Sequence, residues 1–118
     1  MTDGEFDVKK AKENLMRIEA EEKEANEKMR QKMLQKVCDF LKQEFKGQNI
    51  EIYLVGSITQ PYQFTKRSDI DIELKNFQGD RLELGCKLDR AMERDVDIIR
   101  FETCSFQDFV IKYGLKVM

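Results

Sequence analysis

The sequence predicts an α/β protein of the α+β kind: a small mixed β-sheet flanked by helices, with a long N-terminal helix in front. Three observations predict it. A charge-dense stretch almost free of turn residues covers positions 7–46. Short β-branched runs follow at 50–55 (IEIYLV), 69–74 (DIDIEL) and 96–101 (VDIIRF). Helical patterns open after Asp80 and Ser105, between and beyond those runs. A length of 118 residues suits a single core.

The first helix has two parts. Met33, Leu34, Val37, Cys38, Leu41 and Phe45 recur every three or four positions, which makes one buried face. Gly47 supplies a stop. Upstream, Ala11, Leu15, Ile18, Ala25 and Met29 form a thin stripe interrupted by Glu22 and set among Glu and Lys. That stripe reads as a solvated helical extension or as a narrow coiled-coil seam for a partner. The chain therefore divides into a charged helical extension, 1–32, and a domain, 33–118.

Strand 50–55 is apolar enough to be buried and ends in Gly56-Ser57. Pro61 limits any helix after Ser57 to about one turn. The loop then carries Lys66 and Arg67. Strand 69–74 alternates, so Asp69, Asp71 and Glu73 share one face, with Glu73 expected at a solvated rim. Asp80 is the expected N-cap of the next helix, with Glu83 as a capping-box partner. Leu84, Leu88, Ala91 and Met92 form its inner face. Strand 96–101 follows. Ser105 is expected to cap a last helix, 106–113, which Gly114 ends; the tail LKVM is expected to add an edge strand.

Composition excludes several chemistries. The chain has no His, which removes Ser–His, Cys–His and His-ligated metal mechanisms. Carboxylates, Lys, Cys, Tyr or an oxygen-bound metal remain. The three cysteines, Cys38, Cys86 and Cys104, form no CxxC pair, so packing in a reducing cytoplasm is the expected role. The net charge of −2 has no basic half, which argues against a duplex nucleic-acid binder. No apolar run approaches membrane-spanning length, and the polar N-terminus does not read as a signal peptide.

What remains is a carboxylate constellation. Asp69 and Asp71, two apart on a strand, emerge on one face and repel when both are ionised. A divalent cation relieves that repulsion, and Mg²⁺ suits a site of few carboxylates plus substrate phosphates. Gly56-Ser57 ends the preceding strand, where a turn can offer N–H groups and a hydroxyl to phosphate. Asp97 lies inside VDII, with Asp95 as its competitor on the same face.

The order of Gly-Ser, an eleven-residue spacer, Asp-Ile-Asp and a later Val-Asp-Ile-Ile resembles the DNA polymerase beta-like nucleotidyltransferase superfamily, nearest its minimal, antitoxin-like type. The resemblance covers about residues 34–118. It implies that Gly56 and Ser57 hold a nucleotide triphosphate. It implies that Asp69, Asp71 and Asp97 bind metal, two Mg²⁺ being expected, with Asp97 activating the attacking hydroxyl. It further implies ATP as the substrate, AMP as the transferred group, and a tyrosine of a HEPN-type toxin as acceptor. The chain departs from the pattern after Gly-Ser. Ile58-Thr59-Gln60-Pro61 stand where many members have Ala-Arg-Gly, and the spacer is one residue longer than usual. Lys66 and Arg67 are the expected substitutes at the phosphates. Two alternatives stay open: an inactive module that neutralises a partner by contact through the N-terminal helix, and a small-molecule nucleotidyltransferase. The same helix is the expected route to a homo- or hetero-oligomer.

Overall fold

A computed structural model describes residues 7–118. Residues 1–6, the start of the expected extension and of the polar N-terminus, lie outside the described residues. The first helix, α1 (Val8–Glu44), runs unbroken for 37 residues. Asp7 caps it by accepting from the Lys10 amide at 3.0 Å. Gly47, at φ +78°, turns the chain away after its last turn, a conformation that glycine takes without strain.

The strands are β1 (Glu51–Val55), β2 (Ile70–Lys75), β3 (Val96–Arg100) and the two-residue β4 (Leu115–Lys116). Their order in the sheet is β3-β2-β1-β4. β1 is antiparallel to β2 and β4, while β2 and β3 are parallel, so the sheet is mixed as expected. The parallel pair is joined by the helix α2 (Arg81–Met92), a crossover that covers one face. Asp80 caps α2 by accepting from Leu82 and Glu83 amides. The expected edge strand forms, and its ladder continues through Val117 and Met118 to Ile52.

One face of the sheet carries the main core. Ile52, Leu54, Ile70, Ile72 and Leu74 pack there with Val37 and Leu41 of α1 and Leu88 and Met92 of α2. The other face carries a smaller cluster of Tyr53, Phe101 and Val110, with Val55 and Cys104 against it. It is covered by a 3₁₀ turn, Phe101–Thr103, and the short helix α3 (Gln107–Tyr113). Ser105 does not cap α3, contrary to expectation. The helix starts after Phe106 with no side-chain cap. Instead the Gln107 side chain donates Nε2 to the Phe101 carbonyl at 2.9 Å and ties helix to turn.

α1 is longer than the domain it serves. The molecule extends 73 Å along its long axis and 29 Å across. A helix of 37 residues spans about 55 Å. Its exposed outer part leaves Val8, Leu15, Met16 and Ile18 open to solvent. Its inner part is docked. No helix among the described residues is long and apolar enough to cross a membrane.

Candidate functional site

Strand register assembles the acids. β1 pairs Val55 with Asp71, and β3 pairs Asp97 with Asp71. Asp71 therefore lies between the end of β1, where Gly56-Ser57 begins, and the third acid. The period of two places Asp69, Asp71 and Glu73 on the face opposite Ile70, Ile72 and Leu74. The Ile70 amide donates to the Asp95 carbonyl at 3.1 Å, so Asp95 stands beside the start of the same acidic row. Asp97 is solvent-exposed, as is Asp69, while Asp71 is half-buried.

The acids feel one another. Burial pushes the Asp71 carboxyl above its ordinary value, and the charges of Asp97 and Asp69 push it further. The Asp69 share of this is the repulsion expected from the Asp-Ile-Asp spacing; the larger charge effect comes from Asp97 in register on the next strand. Among the described residues, no three ligating side chains are drawn together into a ready metal cage. The donor set nevertheless suits a hard cation: oxygens only, one carboxyl half-buried, and a like-charge penalty for an ion to relieve.

Gly56 fits against this acid. It adopts φ +81°, and a Cβ built on it would lie 2.8 Å from Asp71 Oδ2. Only glycine allows the turn and the carboxylate to approach so closely. A single 3₁₀ turn, Ser57–Thr59, follows, in keeping with the limit set by Pro61. Thr59 closes it by donating its amide and hydroxyl to the Gly56 carbonyl, at 3.1 and 2.7 Å. The Ser57 and Ile58 amides donate to no described protein group. Such free N–H groups at the start of a turn are suited to an anion.

Lys66 and Arg67 lie in the exposed turn that leads into Asp69. Among the described residues, neither side chain forms an ion pair or hydrogen bond. They lie at the acid end of β2, where no hydrogen bond joins them to Gly56 or Ser57 among the described residues. The turn itself is braced by Arg94, whose Nη1 donates to the carbonyls of Thr65 at 3.2 Å and Ser68 at 2.8 Å. The Arg94 guanidinium lies 4.4 Å from the centre of the Phe64 ring. Nothing in the sequence marks Arg94, because its partners are backbone carbonyls 26 and 29 positions upstream.

Glu73 overturns its expectation of a solvated rim. It is 0% exposed, and neither carboxyl oxygen has a hydrogen-bond partner. Burial holds its pKa above the ordinary carboxylate value; the Cys104 thiol stands close enough to offset part of this, without the geometry of a hydrogen bond. Alternation gave its face correctly, but the Phe101–Thr103 turn covers that end of the face.

The loop after Gly56 is also held from α1. Glu27 and Arg30 are buried there, and Arg30 reaches the Ile58 carbonyl. Both lie within the segment 1–32 assigned to the extension, although neither is a member of the Ala11, Leu15, Ile18, Ala25 and Met29 stripe read there. They continue the buried helical spacing of Phe45, Leu41, Val37 and Leu34, with charge in place of apolar groups.

No family model matches the chain, and no curated protein sequence matches it. Solved structures do. A chain in the toxin–antitoxin MntA–HpeT, a mutant with two aspartates two positions apart changed to glutamate, is 27% identical. The match covers 67% of each chain with a TM-score of 0.52. A chain in a toxin–antitoxin solved with AMP-PNP is 30% identical, over 67% of this chain and 68% of that one, with a TM-score of 0.54. The expected fold, a small mixed sheet of the nucleotidyltransferase type with a long N-terminal helix, is met.

Proposed function

This chain belongs to the same family as the matched component of the AMP-PNP-bound toxin–antitoxin, and from that premise we propose that it is a nucleotidyltransferase antitoxin. It moves AMP from Mg-ATP to an acceptor hydroxyl, a tyrosine of a HEPN-type toxin. The observation that carries this reading is the position of Asp71. It is wedged between a glycine turn with free amides and a second acid in register on the next strand.

The roles follow from the chemistry. The Ser57 and Ile58 amides and the Ser57 hydroxyl bind triphosphate oxygens. Lys66 and Arg67, on the entry to Asp69, add positive charge for the same phosphates. Asp69, Asp71 and Asp97 would hold Mg²⁺, two ions in the full site. When bound, the metal supplies charge neutralisation at the attacking and leaving oxygens. The acceptor oxygen bonds to the α-phosphorus, the bond to pyrophosphate breaks, and Asp97 accepts the hydroxyl proton. Asp97 is the exposed acid of the pair, which leaves it open to an incoming protein.

The test is transfer itself. The protein is incubated with labelled ATP, Mg²⁺ and the product of its neighbouring gene, the proposed toxin. Label enters the toxin with wild type and is lost with Asp71→Asn; equal labelling by both sinks the mechanism.

A second reading is an inactive module that neutralises its partner by contact. The exposed stripe Val8, Leu15 and Ile18 on the outer part of α1 favours it. Calorimetry separates the two: no binding of Mg-ATP at millimolar concentration supports the module.

A further inference from the structure

We infer that α1 positions the candidate nucleotide loop, with Glu27 and Arg30 acting as a clamp on residues 56–62. The inference rests on the reading of Gly56 and Ser57 as phosphate-binding.

The clamp is fully wired. Arg30 donates Nε and Nη2 to the two Glu27 oxygens, each at 2.8 Å. This forked geometry orients both side chains. The remaining Nη1 donates to the Ile58 carbonyl at 2.9 Å. Glu27 Oε1 accepts the Tyr62 amide at 2.7 Å, and Oε2 accepts Gln31 Nε2 at 3.0 Å. The Tyr62 hydroxyl donates to Glu24 at 3.0 Å. Two loop points four residues apart are thereby fixed to one helical turn. Tyr62 sits at φ +64°, strained for a tyrosine, and its amide is the group that Glu27 holds.

Stability alone does not call for this arrangement. A buried ion pair is commonly replaced by apolar residues of similar volume at no loss, and sometimes with gain. Here the pair is 6% and 8% exposed, on a helix whose neighbouring turn toward the N-terminus is solvated. Its bonds to the rest of the fold end on loop backbone, at Ile58 and Tyr62. The Ser57 and Ile58 amides belong to that same turn, so the clamp sets where they point. Glu27 and Arg30 are positioning residues. The loop's loss of order is expected to appear in nucleotide binding more than in chemistry.

The test uses the full chain and the pair of substitutions Glu27→Leu with Arg30→Met, which removes both charges and leaves comparable volume. The variant is expected to melt near wild type. Its Kd for Mg-AMP-PNP by calorimetry, and its KM for ATP in toxin labelling, are expected to rise on the order of 10- to 100-fold, with kcat changed far less. Arg30→Lys keeps the ion pair but not the fork, and is expected to fall between the two. Lys87→Ala, which breaks the surface pair to Glu44 (2.7 Å), is expected to leave binding unchanged. A folded double variant that binds as tightly as wild type overturns the clamp. Should the double variant fail to fold, Arg30→Lys decides: unchanged affinity overturns the inference, and weakened affinity with a wild-type melt supports it. If wild type does not bind Mg-AMP-PNP, the functional reading itself falls and the clamp falls with it; a tight wild type with an indifferent clamp overturns the clamp alone.

Discussion

The two faces of β2 work in opposite directions. Ile70, Ile72 and Leu74 are 0% exposed and sit in the main core. Asp69, Asp71 and Glu73 alternate with them and crowd negative charge onto the other face. Each buried aliphatic contributes about 1.5–3 kcal/mol by leaving water. The acidic face contributes nothing of the kind, because burial and like charge both disfavour its ionised form. A period of two lets one strand hold the fold with one set of residues and give up stability on the other face, the one proposed to carry the chemistry.

The largest expected effect is on the apolar face. Ile72→Ala should lower stability by about 2–5 kcal/mol, seen as a lower urea midpoint at unchanged m value. Gly56→Ala comes next, since it meets both the φ of +81° and the Asp71 oxygen at 2.8 Å. A cost of about 1–3 kcal/mol is expected, together with loss of nucleotide binding. A variant that binds Mg-AMP-PNP normally would show that turn and acid are independent.

On the acidic face the sign reverses. Asp71 and Glu73 have pKa values raised by folding, first by burial and then by neighbouring carboxylates for Asp71, with burial dominant for Glu73. A group raised in the folded state binds its proton more tightly there than in the unfolded chain. Its contribution is therefore favourable below the unfolded pKa and is lost as pH rises through the folded value. In metal-free buffer, stability should rise as pH falls from neutral through the range just above ordinary carboxylate values. Asp71→Asn and Glu73→Gln should each raise the thermal midpoint at neutral pH and flatten that slope. Glu27 acts oppositely. The hydrogen bonds from Arg30 and Tyr62 hold its pKa at about 2, so its contribution is lost only as pH falls from about 4.5 through about 2. Midpoints measured from pH 3 to 8 separate the groups; a fall in stability from pH 7 to 5 would contradict the assignment.

The pattern that made β2 legible is local. Strict alternation in six residues gives the strand, the face and the acids, and Asp80 announces α2 by its own capping chemistry. The 3₁₀ turn was bounded by Pro61 alone. What the sequence does not carry is what lies on top of a face. Glu73 has the alternation of a rim residue and is buried because Phe101–Thr103 covers it. Glu27 and Arg30 have the spacing of a buried stripe but the composition of a solvated one. Their partners are a carbonyl and an amide 28 and 35 positions away, and backbone groups leave no signature in residue identity.

The smallest expected effect separates the two parts of α1. Leu15 and Ile18 are 56% and 52% exposed, so little apolar area is buried there to lose. Replacing both with Ser should change stability by less than about 0.5 kcal/mol and leave Mg-AMP-PNP affinity at the wild-type value. Leu41→Ala, on the same helix but 0% exposed, should cost about 2–5 kcal/mol. The contrast is a statement about where the domain ends in energetic terms. If the double serine variant loses as much as Leu41→Ala, the outer part of α1 is packed against something in solution. Sedimentation of wild type and variant then identifies it: a dimer that becomes a monomer assigns that packing to a second copy of the chain. If stability and mass are both unchanged, the exposed stripe is free for the proposed toxin partner. In that case loss of co-purification with the proposed toxin by the serine variant would place the partner contact on the outer part of α1, while the inner part, through Arg30 and Ile58, stays with the candidate nucleotide loop.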